Sequence, residues 1–502
     1  MLTVLALTHT MWRDEVRAWS VATKTASWGE MIGALHEEGH PVLWYALLRV
    51  GHAITGSQYV MPVLSAIIVL LAAWVILRFA PFTRTVRLLA VFGAFLGYEL
   101  GIVARNYGIG ALLVVSACAL AGKRAERPWL LAGVLALLAN TSVHGAVAAA
   151  VLAALWLVDG FRSGDRRVRF QTASAVPLVA AGIVFAMTTA QPLPEMAYAF
   201  SWGSLIPSAV LEAILVDPGH GLRGTGGADL VASGELPWTR IGLDEAIVSR
   251  VLVNIAVVAV GWGLRRNLLH LIAFIGTVLG FEVLFRMVYP GALRHQALLA
   301  FLIYGICWMA VVMSRPEDRS DTKRRVSLGL LPLLVIQAIA LPVTAIRAIL
   351  HPESMSGAFA QQLKSEPRLA NAILMSEPDP LMETLPYYAP NPVYFPRQRE
   401  FDYRAWFDKG AKRQPVMSLS DLMNVADSVA CSSKQPVLIS VGHRPFHFAN
   451  AGQAEGPYDS IFTWNPAERR EFSERTRALP WLPGSTGDEN YRTYELLRPE
   501  CD

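Results

Sequence analysis

Long apolar runs separated by short polar connections dominate the first 350 positions of the chain. They recur at 60–78, 86–100, 108–121, 129–140, 145–158, 173–190, 246–264, 268–288, 297–313 and 326–349. A helix needs about 20 apolar residues to cross hydrocarbon, so several of these runs are short or interrupted. Residues 1–12 are apolar but too short to span. With no basic n-region and no small-residue cleavage site, they do not read as a signal peptide. In the segment 14–25, apolar positions mix with Arg17 and Lys24, predicting a helix lying in the interface with Trp12, Trp19 and Trp28 at headgroup depth. Residues 41–53 predict another helix. After His351 the pattern changes. Proline-rich turns at 378–380 and 389–392 separate short apolar runs. Residues 371–375 and 437–441 predict buried strands, and Ser420 is the expected cap of a helix from Asp421 toward Ala430.

The expected fold is therefore mostly α: a polytopic transmembrane bundle of about 11 helices over residues 1–350, with outer loops 13–59 and 191–245. An extracytoplasmic α/β domain over 351–502 follows. Composition agrees with this. Of 502 residues, 53% are hydrophobic and only 17% charged, which excludes an ordinary soluble enzyme. Basic residues cluster at alternate connections: Arg84 and Arg87; Lys123, Arg124 and Arg127; Arg162, Arg166, Arg167 and Arg169; Arg265 and Arg266; and Arg315 through Arg325. One threading puts all five clusters in the cytoplasm, and with it both outer loops and the tail outside. The net charge of +4 is accounted for by these loops and gives no sign of a nucleic-acid partner. Cys118 and Cys307 read as buried small residues. Cys431 and Cys501, in the outer tail, are open to a disulfide.

Charge near hydrocarbon is costly and tends to mark a site. Asp14, Glu15, His40, Glu99, Arg105, His144, Glu282, Arg286, Arg294 and His295 all fall in or beside apolar runs, and the threading brings every one toward the non-cytoplasmic side. Asp14 and Glu15 are candidates for a general base and its orienting or metal-binding partner. Their bland reading is a solvated helix N-terminus, where acids are favoured. His40 is placed to meet a phosphate or to hold the carboxylates, and equally to be an interfacial histidine before a proline-started helix. Arg105 sits on the side where arginine is disfavoured. A phosphate explains it through the planar guanidinium fork, and a salt bridge to Glu99 is the plainer alternative. His144 is a site or packing residue at the next outer turn. Glu282 and Arg286, four apart, pair structurally. Arg294 and His295, after 289–291, suit a lipid-phosphate clamp or a headgroup contact. Asp217, His220, Asp244 and Glu245 are loop candidates for contacting a polar acceptor, or simply solvated. Metal-ligand spacing, a phosphate-binding glycine loop and a nucleophile elbow are all missing from the sequence.

Asp14-Glu15, the stretch 38–45 from Glu38 to Tyr45 and the stretch 103–107 ending in Arg105-Asn106-Tyr107 together resemble the start of the GT-C glycosyltransferases. The likeness is to bacterial relatives of the dolichyl-phosphate-mannose–protein mannosyltransferases. The turn 140–144 and Arg294-His295 are similar to that family as well. The resemblance covers most of the membrane part; the short first helix and the tail depart from it. It implies an enzyme of the bacterial inner membrane that moves a sugar from a polyprenyl-phosphate donor to a hydroxyl acceptor on the periplasmic side. The acceptor class (protein, lipid or glycan) is left open. Asp14 would be the catalytic base, with Glu15 beside it, and His40, Arg105, Tyr107, His144, Arg294 and His295 would bind substrate or phosphate. The sequence establishes no cofactor and leaves a divalent cation open. The alternatives are a transporter or flippase of a lipid-linked or polar substrate, and a non-catalytic scaffold.

Overall fold

The structure is a computed structural model that describes residues 2–191, 245–287, 292–350, 352, 354–406, 413–441, 451–456, 460–482 and 489–501. It is mostly helical, with small sheets toward the C-terminus. A short helix α1 (Leu2–Thr8) precedes three helices of the first loop, α2 (Arg13–Lys24), α3 (Trp28–Glu38) and α4 (Leu43–Thr55). The bundle then runs α5 (Val60–Phe79), α6 (Arg84–Val91), α7 (Asn106–Ala121), α8 (Pro128–Ala139), α9 (Val143–Arg162) and α10 (Arg166–Ala190). After the long loop come α11 (Glu245–Leu264), α12 (Leu268–Met287), α13 (Leu293–Val312) and α14 (Arg319–Leu350).

Among the described residues, six helices are long and apolar enough to cross a membrane: α5, α9, α10, α12, α13 and α14. α7, α8 and most of α11 are apolar but shorter. That is fewer than the 11 expected. One reason is visible at the predicted run 86–100, which breaks after Val91 and resumes as a single π-turn, Phe95–Glu99. Gln337 of α14 holds this break, its side-chain oxygen accepting the Phe95 N–H at 3.2 Å. Such π-turns recur near functional sites. α13 is the axis of the bundle, buried from His295 through Val311. α5 instead turns Val63, Ile67, Leu70, Leu71 and Trp74 outward, as a lipid-facing helix does.

The first-loop helices differ from the expected interfacial layer. α2 is buried from Glu15 to Ala22 and packs with Met31, Leu35, Trp44, Tyr45 and Leu48. Trp19 is buried within the protein; its ring meets His52 and Tyr387 edge-on at 5.0 and 6.3 Å. Only Trp28 is exposed, with the Arg49 guanidinium 5.3 Å above it.

In the tail, β1 (Ile373–Ser376) pairs in parallel with β2 (Val437–Ser440) within a four-stranded sheet, both strands lying where the sequence predicted them. The expected helix begins two residues earlier, at Leu419, because Ser418 and not Ser420 is the cap. Ser418 Oγ accepts the Asp421 N–H at 3.0 Å, and Asp421 Oδ2 accepts the Ser418 N–H at 2.8 Å. Cys431 and Cys501 are joined in a disulfide. The tail docks on the first loop through buried ion pairs. Arg17 binds Glu38 at 2.6 Å and also Glu383 of the tail, and Arg404 binds Glu37 at 3.1 Å. Burial raises the Glu383 carboxyl above its ordinary value, against the pull of Arg17.

Candidate active site

Four helices begin at one place. Asp14 lies in the first turn of α2, Arg105 immediately before α7 with Tyr107 one residue inside it, His144 in the first turn of α9, and Arg294 and His295 in the first turn of α13. Local sequence fixes each position. Gly39 adopts φ +65° at the end of α3, where its N–H bonds back to Leu35, and this left-handed step carries the chain out of the helix at His40. Ser142 caps α9, accepting the Gly145 N–H at 2.9 Å. A side chain at Gly145 would collide with the Thr141 hydroxyl and the Leu138 carbonyl, so this tight turn beside His144 needs glycine. Arg105 stands in the irregular segment between the π-turn and α7, which frees its side chain from any helical register.

The Asp14 carboxylate is the hub. Its Oδ2 lies 2.8 Å from Arg294 Nη2 and 3.9 Å from Arg105 Nη2, and its Oδ1 is 3.7 Å from Arg13. Arg105 also donates to the Asp14 backbone carbonyl. Burial opposes ionisation of Asp14, but Arg105, Arg294 and Arg13 outweigh it and hold the carboxyl well below the usual carboxylate range. The Arg294 guanidinium lies over the Trp12 ring at 5.1 Å.

Histidines and a tyrosine close the other side. His40 Nε2 stands 3.1 Å from Arg105 Nη2. Burial, with Arg105 and Arg294 acting in the same direction, lowers the His40 imidazole to about 3, so the ring is neutral at neutral pH. Since an arginine N–H can only donate, His40 Nε2 accepts and the ring proton is on Nδ1. That Nδ1 is buried without a hydrogen-bond partner. His295 Nδ1 accepts the Ala292 N–H at 2.9 Å, which puts its ring proton on Nε2, 2.8 Å from Tyr107 Oη. His144 stacks on His295 with centroids 4.5 Å apart, backed by Phe281 at 5.6 Å and Phe285 at 5.8 Å. His144 Nε2 and Arg105 Nε are likewise buried without hydrogen-bond partners.

Asp14, His40, Arg105, Tyr107, His144, Arg294 and His295 thus meet in one cluster. Glu15 does not join it. Consecutive helical residues point about 100° apart, and Glu15 faces the opposite way, fully buried. Its Oε1 accepts the Ala104 N–H at 2.6 Å, and its Oε2 meets His9 Nε2 at 2.8 Å and the Trp12 N–H at 3.1 Å. Glu15 is therefore a clamp between α2 and the segment carrying Arg105, and its expected catalytic place is corrected to a supporting one. For the same reason Asp14 and Glu15 do not face a common point and do not fit a shared divalent cation. Among the described residues, no group of three His, Cys, Asp or Glu side chains is placed to hold a metal ion.

Arg105 contacts Asp14 and His40 rather than Glu99. Glu282 is buried. Its expected partner Arg286 has a side chain outside the described residues, as does Glu245; Asp217, His220, Asp244 and 289–291 lie wholly outside them. Sequence reasoning missed Arg13, whose guanidinium faces Asp14, and Glu489 of the tail, whose carboxylate accepts the Arg13 backbone N–H. Nothing local in the sequence announces a contact between positions so far apart. No protein-family model, curated protein or solved structure matches the chain.

Proposed function

We propose that the chain is a membrane glycosyltransferase of GT-C type. In this reading it moves a sugar from a polyprenyl-phosphate donor to an acceptor hydroxyl on the non-cytoplasmic side, with Asp14 as general base. The observation that carries it is an excess of positive charge around one carboxylate. Arg13, Arg105 and Arg294 surround Asp14, and four helix N-termini point into the same space. Helix N-termini bind anions through unpaired N–H groups and the helix dipole. A phosphate fits the two guanidinium forks, and the buried His40 Nδ1–H is a further donor to it.

The chemistry is a single displacement. The acceptor oxygen attacks the anomeric carbon, the bond from that carbon to the phosphate oxygen breaks, and polyprenyl phosphate leaves with the electron pair. Asp14 takes the acceptor proton. Negative charge grows on the phosphate as it departs, so the guanidiniums bind the transition state better than the ground state. That electrostatic stabilisation is the largest catalytic contribution. The donor carries its own activated leaving group, so no nucleotide site is required. The basic connections at alternate turns support an outward-facing site. The test is incubation of purified protein in bilayers with synthetic polyprenyl-phosphate mannose, glucose, galactose and arabinose. Release of polyprenyl phosphate is the expected result. No turnover of any donor, with water or a range of hydroxyl acceptors, would count against the enzyme reading.

A further inference from the structure

The helix that carries Asp14 has only the Glu15 half of a capping box. Trp12 occupies the N-cap position and has no side-chain acceptor there. A helix start without acceptors leaves backbone N–H groups unpaired, which is costly when they are buried. Here part of the missing support comes from the tail. Tyr388 Oη accepts the Met11 N–H at 2.6 Å, and Ser356 Oγ donates to the Met11 carbonyl at 3.2 Å. Glu489 accepts the Arg13 N–H. From within the loop, Glu15 accepts the Trp12 N–H at 3.1 Å and the Trp12 carbonyl accepts the Glu15 N–H at 3.0 Å. Glu489 is fully buried, directly behind the residue that precedes Asp14. Three tail side chains thus hold the two residues, 11 and 13, that set where α2 begins.

Resting on the glycosyl-transfer reading, we infer that the tail is part of the catalytic assembly: Glu489, with Tyr388, is a positioning residue that holds the start of α2 so that Asp14 faces Arg105 and Arg294. The tail then does more than cover the membrane domain. Its release would let the α2 backbone move while Arg105, just before α7, and Arg294, on α13, stay in place. Donor phosphate would still bind, and proton removal from the acceptor would fail.

The experiment uses the full chain in bilayers with the four synthetic polyprenyl-phosphate sugars, following polyprenyl phosphate release per folded molecule. If the wild type consumes none of them, the glycosyl-transfer reading fails and the positioning role goes with it. With an active wild type, Glu489→Ala is expected to lower kcat on the order of 10²-fold, the effect of displacing a reacting group by about 1 Å, and not to raise the donor KM. Glu489→Gln keeps an oxygen acceptor for the Arg13 N–H and is expected to restore most of kcat. A kcat equal to wild type in folded Glu489→Ala overturns the positioning role and leaves the enzyme reading intact. So does a folded Glu489→Gln as slow as the alanine variant, because the acceptor would then not be what matters. If Glu489→Ala does not fold, Tyr388→Phe carries the test. It removes one acceptor and is expected to cost roughly fivefold to tenfold in kcat without raising KM, the equivalent of one hydrogen bond. An unchanged kcat there overturns the inference.

Discussion

Asp14→Asn separates the two jobs assigned to this carboxylate. As a base it accepts the acceptor proton; in the resting site it occupies the guanidiniums that the donor phosphate needs. Its Oδ2 sits 2.8 Å from Arg294 and 3.9 Å from Arg105. A hydrogen bond to a charged group is worth about 1.5–3 kcal/mol. The Asp14 side chain is 21% exposed, so partial screening places the contact toward the lower end of that range. An incoming phosphate must displace it. Releasing about 1.5 kcal/mol of competition tightens phosphate binding roughly tenfold. Loss of the base costs about 10²- to 10⁴-fold in transfer. The expected outcome is thus a variant that binds polyprenyl phosphate more tightly and scarcely turns over. Binding can be followed by tryptophan fluorescence, since Trp12 stacks on Arg294. The pH profile gives a second readout. Free Asp14 is held below the usual carboxylate range by its arginines. Once phosphate draws them away, the carboxyl moves back up and becomes a better base. The acid limb of kcat should then lie at higher pH than that of kcat/KM. Wild-type turnover in Asp14→Asn, weaker phosphate binding, or coincident acid limbs would each refute this reasoning.

Arg105→Ala and Arg294→Ala should each lower kcat/KM by roughly 10²-fold through lost stabilisation of the leaving phosphate; a change confined to protein yield would remove them from the site. Glu15→Ala leaves the buried Ala104 and Trp12 N–H groups unpaired, at about 1–3 kcal/mol each, so thermal unfolding should move to lower temperature; an unchanged Tm would contradict the clamp. In the tail, burial raises Asp379 from 3.8 to about 7 and Glu489 from 4.5 to about 8. A raised acid binds more protons folded than unfolded, so its contribution is complete below the ordinary value and lost as pH rises through the folded one. Tm of the full chain should therefore fall between about pH 5 and about pH 9, with a shallower fall in Glu489→Gln; a Tm rising over that window would refute the assignment. Reducing the Cys431–Cys501 disulfide, which spans 70 positions, should cost the tail roughly 2–4 kcal/mol, read as an earlier melting of its sheets under reductant.

Much of the bundle was legible because apolar runs of spanning length have few other uses. The run starting at Val60 and the helix ending at Ala190 fall within a residue of expectation. The break at Phe92–Ala94 was not legible, since what holds it is the side chain of Gln337 on a helix far along the chain. The same contrast holds at the site. Arg105 and Arg294 stood out because topology disfavours arginine on the outer side. Glu15 was misjudged because adjacent acids look alike in sequence and differ only in the 100° between them. Trp19 was read as interfacial because its helix alternates apolar and charged residues; that apolar face is covered by α4 and by Tyr387 of the tail, which no local pattern encodes. Glu489 belongs to the same class, as its meaning comes wholly from a partner at the other end of the chain.

The balance of charge in the cluster constrains what can bind there. Guanidiniums brought together in a poorly hydrated space repel one another, and helix N-termini add to the same positive field. Asp14 offsets only part of this. A neutral or cationic ligand would leave that excess uncompensated while displacing water that partly screens it. A phosphate compensates it, and its departure as a more highly charged monoester compensates it further. This balance of charge is why we propose a bond cleavage that increases negative charge at the arginines over the holding of a polar solute in transit. Placing the base on a loop helix fits this division of labour. Under the proposed function the arginines of the bundle would set the phosphate position, whereas Asp14 hangs from a short helix whose start is fixed by Glu15 and the tail. An element outside the bundle can then govern proton removal without disturbing donor binding.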